Sequence, residues 1–233
     1  MELAHLVPTS LLDYPDRVAA VLFTAGCNFR CPFCYNAELV LPEKTRELRL
    51  TGVEEVLRVL EERRGFLDGV VITGGEPTLQ SGLRGFIREV GRLGLLVKLD
   101  TNGSRPEVLE DLLAAGLVDY VAMDVKAPPA RYSELAGVPA DLSAIERSIR
   151  LVRERAPDYE FRTTVAPGLV AEDIREIAAL LAGSRRWFLQ PFVVPEGKDL
   201  VDPACGARPA LVRSDLLRIW EEASTGSLGG GVR

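Results

Sequence analysis

DGVVITGGEPTLQSGLRGFIREVGRLGLLVKLD, residues Asp68–Asp100, decides the fold. Asp68–Thr73 is a short apolar run of strand length, rich in β-branched residues. Leu83–Leu93 repeats its apolar residues with helical period, and Leu95–Asp100 is a second strand. A strand, a helix and a strand in direct succession make one βαβ unit, and the pattern continues on both sides. Upstream, Val18–Thr24 reads as a strand, and Gly52–Arg64 as a helix with Val53, Val56, Leu57 and Leu60 on one face. Downstream, a helix opens at Pro106 and ends near Gly116, with proline early and glycine late. Strands over Leu117–Val125, Tyr159–Val165 and Arg186–Gln190 alternate with helices over Leu142–Arg155, Glu172–Leu181 and Pro209–Ala223. Six strand–helix units in a row predict an α/β fold with a parallel sheet and right-handed crossovers, as an open doubly wound sheet or a barrel. No linker interrupts them, so residues 1–223 are expected to form one domain. The Gly- and Ser-rich tail 224–233 is expected to be frayed.

Composition narrows the function. The 233 residues are 47% hydrophobic and 27% charged, which is globular usage and excludes disorder or coiled coil. No apolar run approaches the ~18 residues that cross a bilayer. No basic segment precedes an apolar one at the N-terminus, so the cytoplasm is the expected compartment. Net charge is −6 with no basic block, which argues against nucleic-acid binding and gives no sign of a membrane surface. A single histidine, His5, leaves little scope for histidine-based catalysis or a His-rich zinc site.

The four cysteines are informative. Cys27, Cys31 and Cys34 lie close together, and Cys205 lies far away. This is no disulfide framework. Three thiols are one short of a closed zinc site, and they suit an iron–sulfur cluster with one iron left open. Cys205 reads as a plain thiol.

The unusual residues fall repeatedly at the carboxyl ends of the strands, where α/β folds collect functional groups. The first strand runs into the cysteines, and the second into Gly74, Gly75, Glu76 and Pro77. The third ends Asp100-Thr101-Asn102, the fourth Asp124-Val125-Lys126, and the fifth carries Arg162. Paired glycines let a ligand approach bare backbone, and a following glutamate can receive a cationic amine. Asp100 and Asp124 can accept from hydroxyls or hold a cation through oxygen. Lys126 and Arg162 can neutralise a carboxylate. Read singly, each has a plainer explanation: a tight turn at Gly74-Gly75, capping at Asp100 and Asn102, and solvated ion pairs at Lys126 and Arg162.

Cys-x3-Cys-x2-Cys followed by Gly74-Gly75-Glu76-Pro77 resembles the radical S-adenosylmethionine (SAM) superfamily. The likeness runs through roughly Leu12–Pro195. Asp13-Tyr14-Pro15, Phe23–Pro32, and the Asp-Thr-Asn-Gly, Met-Asp-Val-Lys and Arg-x4-Pro-Gly stretches resemble the activases of glycyl-radical enzymes, above all those of anaerobic ribonucleoside-triphosphate reductase. Pyruvate formate-lyase activases share many of these landmarks. Tyr35 stands where many activases carry histidine, whereas Asn36 matches.

The resemblance implies a partial (β/α)6 TIM-like barrel with helices outside. It implies that Cys27, Cys31 and Cys34 hold a [4Fe–4S] cluster whose fourth iron is chelated by SAM. Phe33 and the backbone at Tyr35 would meet the adenine. Gly74, Gly75 and Glu76 would bind the methionyl amine, with Asn36, Pro77, Thr101, Asn102, Lys126 and Arg162 around the site. Acids equivalent to Asp100 and Asp124 bind a monovalent cation in relatives. The implied reaction is reductive cleavage of SAM to a 5′-deoxyadenosyl radical that takes hydrogen from a glycine of a partner enzyme. A low-potential donor such as flavodoxin or ferredoxin would supply the electron. Alternatives are an activase of pyruvate formate-lyase type, a radical SAM enzyme acting on a small molecule in nucleoside or cofactor biosynthesis, and a zinc- or iron-binding interaction module. No Arg-Val-x-Gly-Tyr loop occurs in the chain, so a glycyl radical would be placed in trans.

Overall fold

The computed structural model describes residues 1–223 and 228–233. One eight-stranded sheet organises the chain: β1 (Leu3–Ser10), β2 (Ala19–Thr24), β3 (Gly69–Gly74), β4 (Leu96–Thr101), β5 (Tyr120–Asp124), β6 (Asp158–Val165), β7 (Arg186–Pro191) and β8 (Gly229–Val232). Its spatial order is its sequence order. A doubly wound sheet would reverse direction at a switch point. This one never does, so each crossover advances one strand the same way and the barrel reading holds. β2 to β8 pair in parallel, and β1 joins β2 antiparallel. β1 and β8 are the two ends of the sheet order, so the barrel is partial.

The helices are α1 (Ala37–Val40), α2 (Pro42–Thr45), α3 (Val53–Arg63), α4 (Leu83–Arg92), α5 (Pro106–Ala114), α6 (Tyr132–Ala136), α7 (Leu142–Arg155), α8 (Ala171–Leu180) and α9 (Arg213–Ala223). The six expected strands and the six long helices are all present, within a few residues at each end. Two strands were not expected. Leu3–Ser10 contains Pro8 and carries no clean alternation, yet it pairs along β2 from Leu3 to Ser10 with two register shifts. Gly229–Val232 corrects the expectation of a frayed tail there, because it pairs with Arg186–Leu189 of β7. The remaining expected tail, 224–227, lies outside the described residues.

Period-two alternation sorts the strand side chains into two environments. One set, including Leu22, Ile72, Leu99, Val121, Phe161 and Leu189, packs with Leu60, Ile87, Leu112, Ile149 and Ile177 of the helices in the main core. The opposite set faces the barrel interior, where Ala19, Val21, Val71 and Ala122 cluster with Tyr14 and Tyr120. These side chains are small, and charged groups share the interior with them. Glu160 is 1% exposed and accepts from the Tyr120 hydroxyl at 3.0 Å. Both terminal nitrogens of Arg233, just past β8, also bond its carboxylate, at 3.0 and 2.9 Å. A buried carboxylate needs such partners.

Arg233→Ala therefore should cost about 2 kcal/mol in urea unfolding, a charged hydrogen bond discounted for the arginine's partial exposure. Adding Glu160→Gln to that variant should recover part of the loss, because the unpaired charge goes with it. Two independent, additive losses would contradict the pairing.

Candidate active site

The loops leaving the carboxyl ends of β2 to β7 surround one cleft of about 860 Å³. Every residue singled out in the sequence lines it: Cys27, Cys31, Phe33, Cys34, Tyr35 and Asn36 after β2; Gly74, Gly75, Glu76 and Pro77 after β3; Asp100, Thr101 and Asn102 at β4; Asp124 and Lys126 at β5; and Arg162 on β6. Other lining residues were not given a site role from the sequence: Thr164 and Gln190 sit at strand ends where polar residues gather, and His5 and Asp13 also reach the cleft. His5 lies on β1 and Asp13 in the turn after it, and that strand's pairing is what brings them to the cleft.

The cysteine loop is fixed by backbone bonds at both ends. Ala25 N–H donates to Glu2 O and Gly26 N–H to Leu39 O. Further along, Arg30 N–H donates to Ala136 O, while Val201 and Asp202 donate to the carbonyls of Cys34 and Pro32. The three thiols thus line one wall of the cleft, and none is in a disulfide. Burial pushes the Cys27 thiol up to about 11 and the Cys31 thiol up to about 12, and it raises Cys34 as well. Loading metal onto such thiols must expel protons. Among the described residues, no three His, Cys, Asp or Glu side chains are gathered around a single-ion position. By chemistry, three free thiols on one loop are a donor set suited to an iron–sulfur cluster.

The Gly-Gly-Glu turn is knitted onto that loop. Gly75 N–H donates to Thr24 O at 2.8 Å, and Glu76 N–H donates to Gly26 O at 2.8 Å. Only glycine serves here. Gly74 has φ +111°, and a Cβ on Gly75 would sit 2.1 Å from Gly26 O.

Glu76 is 1% exposed, and four donors hold its carboxylate. Thr78 N–H, Thr78 Oγ1 and Thr101 Oγ1 all donate to Oε1, at 3.0, 2.5 and 2.8 Å. Asn102 N–H alone donates to Oε2, at 2.7 Å. Burial still pushes the carboxyl above the usual range. The arrangement orients a carboxylate that has acceptor capacity left on Oε2, as a bound ammonium would require. Thr101, expected at the cofactor, lines the cleft and gives its hydroxyl proton to Glu76. Asn102 Nδ2 donates to Asn28 Oδ1 at 3.0 Å and lies 3.9 Å from Cys27 Sγ, joining this wall to the cysteine wall.

The same cleft holds a chain of charges. Arg162 bridges the two acids, with Nε on Asp124 Oδ1 at 2.9 Å and Nη1 on Asp100 Oδ2 at 3.2 Å. Lys126 Nζ holds Asp124 Oδ2 at 2.8 Å, and Lys98 Nζ holds Asp100 Oδ1 at 2.5 Å. Burial opposes ionisation of both acids, but Arg162 and the lysines overcome it and hold both carboxyls below the usual range. Burial likewise opposes the charge on Lys126, and Asp124 outweighs it, so the ammonium stays protonated. Three cations face two carboxylates, leaving one positive charge in surplus. Lys98 was not expected at the site. Its signal was a lysine in an apolar strand, two residues before Asp100 and therefore on the same side of β4.

The chain is similar to known proteins over most of its length. The family model of the radical SAM superfamily matches residues 21–181. A Methanocaldococcus jannaschii protein named as a glycyl-radical enzyme activating enzyme is 37% identical over 227 residues, 94% of this chain and 90% of the relative. The 7-carboxy-7-deazaguanine synthase of Thermococcus kodakarensis is 30% identical over 185 residues, 72% of this chain and 71% of the relative. Among solved structures, Streptococcus suis SuiB bound to precursor peptide SuiA matches 91% of this chain with TM-score 0.68 and 16% identity. That likeness concerns the fold alone, and the chain spans 48% of SuiB's length. The chain belongs to the radical SAM superfamily, enzymes that work with a [4Fe–4S] cluster and S-adenosylmethionine.

Proposed function

We propose that this radical SAM enzyme is an activase, which places a radical on a glycine of a partner enzyme, an anaerobic ribonucleoside-triphosphate reductase. The observation that carries this reading is the likeness to the M. jannaschii protein, which extends over 94% of the chain at 37% identity. The open barrel supports it. β1 and β8 are the unjoined ends of the sheet, and a polypeptide loop can reach a cleft with an incomplete wall.

In this reading Cys27, Cys31 and Cys34 hold the cluster. Glu76 Oε2 and the bare backbone at Gly74 and Gly75 receive the methionyl amine, while Lys126 and Arg162 take the carboxylate. Phe33 and Tyr35 flank the adenine, and Asn36, Pro77 and Asn102 shape the pocket. When bound, the cluster and SAM would supply reductive carbon–sulfur cleavage and hydrogen-atom abstraction, with the electron drawn from a low-potential donor such as flavodoxin or ferredoxin. The chain's own residues orient and shield. Thr78 and Thr101 aim Glu76, and the buried Phe33 and Phe29 exclude water beside the thiols.

A second reading, a radical SAM enzyme acting on a small molecule, is favoured by the likeness to 7-carboxy-7-deazaguanine synthase over 72% of the chain. The two readings differ in what fills the mouth of the cleft.

Cluster-loaded protein given SAM, a low-potential reductant and a candidate anaerobic reductase should produce a glycyl signal by electron paramagnetic resonance. The signal should vanish in Cys31→Ser, a variant whose melting should stay close to that of the metal-free parent. A metabolite that raises 5′-deoxyadenosine turnover, with no protein signal, would favour the second reading.

Glu76→Gln should weaken SAM binding about tenfold to a hundredfold, the worth of a hydrogen bond to a charged group. Its iron content should match the parent. Unchanged affinity by calorimetry would remove Glu76 from the amine.

A further inference from the structure

The family resemblance places a monovalent cation at Asp100 and Asp124, and the side chains present do not fit one. Each of the four carboxylate oxygens already meets a cation of the protein. Asp100 Oδ1 takes Lys98, Asp100 Oδ2 and Asp124 Oδ1 take Arg162, and Asp124 Oδ2 takes Lys126. These side chains already carry one positive charge more than negative. A further cation would double that surplus among side chains a few ångströms apart, where like charges repel. It would also have to approach oxygens that each already hold an ammonium or a guanidinium, so every oxygen ligand would bring a like charge with it.

Lys98 makes the difference. It is 2% exposed and enters from the barrel interior, below the cleft lining. Its ammonium lies 5.9 Å from the centre of the Tyr120 ring, and the Tyr120 hydroxyl is tied to Glu160. The small neighbours Val71 and Ala122 share this interior. Asp100 is thereby neutralised from beneath, and Arg162 and Lys126 carry the surplus charge on the cleft side.

We propose that this protein binds SAM without a monovalent cation, because the Lys98 ammonium occupies the position of charge that such an ion would supply. Lys98 is a positioning residue. It holds Asp100, Asp100 helps hold Arg162, and the surplus positive charge meets the ligand carboxylate directly. The inference rests on the assignment of the cleft to SAM.

The test compares potassium, sodium and choline chloride at equal ionic strength, using cluster-loaded protein. Wild type should bind SAM with the same affinity in all three salts and melt at the same temperature. It should show no saturable thallium(I) binding by thallium-205 resonance, with or without SAM. Lys98→Met should lose about tenfold in SAM affinity in choline, the scale of one partly buried charge contact, and potassium should restore most of it. Potassium-dependent SAM affinity or melting in wild type, or saturable thallium binding, would overturn the proposal. So would a loss in Lys98→Met that potassium does not rescue, since a merely structural lysine predicts that. Should the variant fail to fold, the three wild-type measurements decide. Should wild type bind no SAM in any salt, the cleft assignment fails, and the melting and thallium results still decide the cation question.

Discussion

Arg162 between two buried carboxylates is the interaction around which the barrel interior is arranged. Its guanidinium bonds Asp124 on the neighbouring strand and Asp100 one strand further on, so one side chain spans β4, β5 and β6. Charges buried this way are held only if every partner is present, and losing one leaves another uncompensated. The interior is accordingly built in pairs: Lys98 with Asp100, Lys126 with Asp124, Arg233 with Glu160. Apolar packing between sheet and helices forms the outer layer, and these pairs fix which side chains reach the cleft.

That division explains what the sequence made legible. The outer face of each strand and the buried face of each helix are apolar with the right period, so Val56 and Leu60 of α3 announced their helix, and Val70 and Ile72 their strand. The site was legible for a different reason. The three clustered cysteines, Gly74-Gly75 and the acids Asp100 and Asp124 are costly residues without a function, and they line one cleft.

Two kinds of feature were not legible. β1 and β8 lack side-chain signals: one contains Pro8, and the other is mostly glycine, so only backbone pairing reveals them. The partners of charged groups were equally hidden. Thr101 marked a cofactor site, and the structure turns its hydroxyl to Glu76. Asp100 and Asp124 suggested an ion, and the structure gives them Arg162 and two lysines. Residue type announces that a charge needs a partner, and only tertiary geometry decides which.

The contact between the two motif loops has a mechanical side. The Glu76 N–H bond to Gly26 O and the absence of any side chain at Gly75 bring two backbones to the limit of approach. Neither strand of the join can slide without breaking a bond or forcing atoms together. The thiol-bearing loop and the carboxylate-bearing turn therefore move as a single stiff platform. Thermal motion that loosened one would loosen both, and anything that steadies one steadies the other. Geometric accuracy between them is set by the backbone, before any ligand arrives.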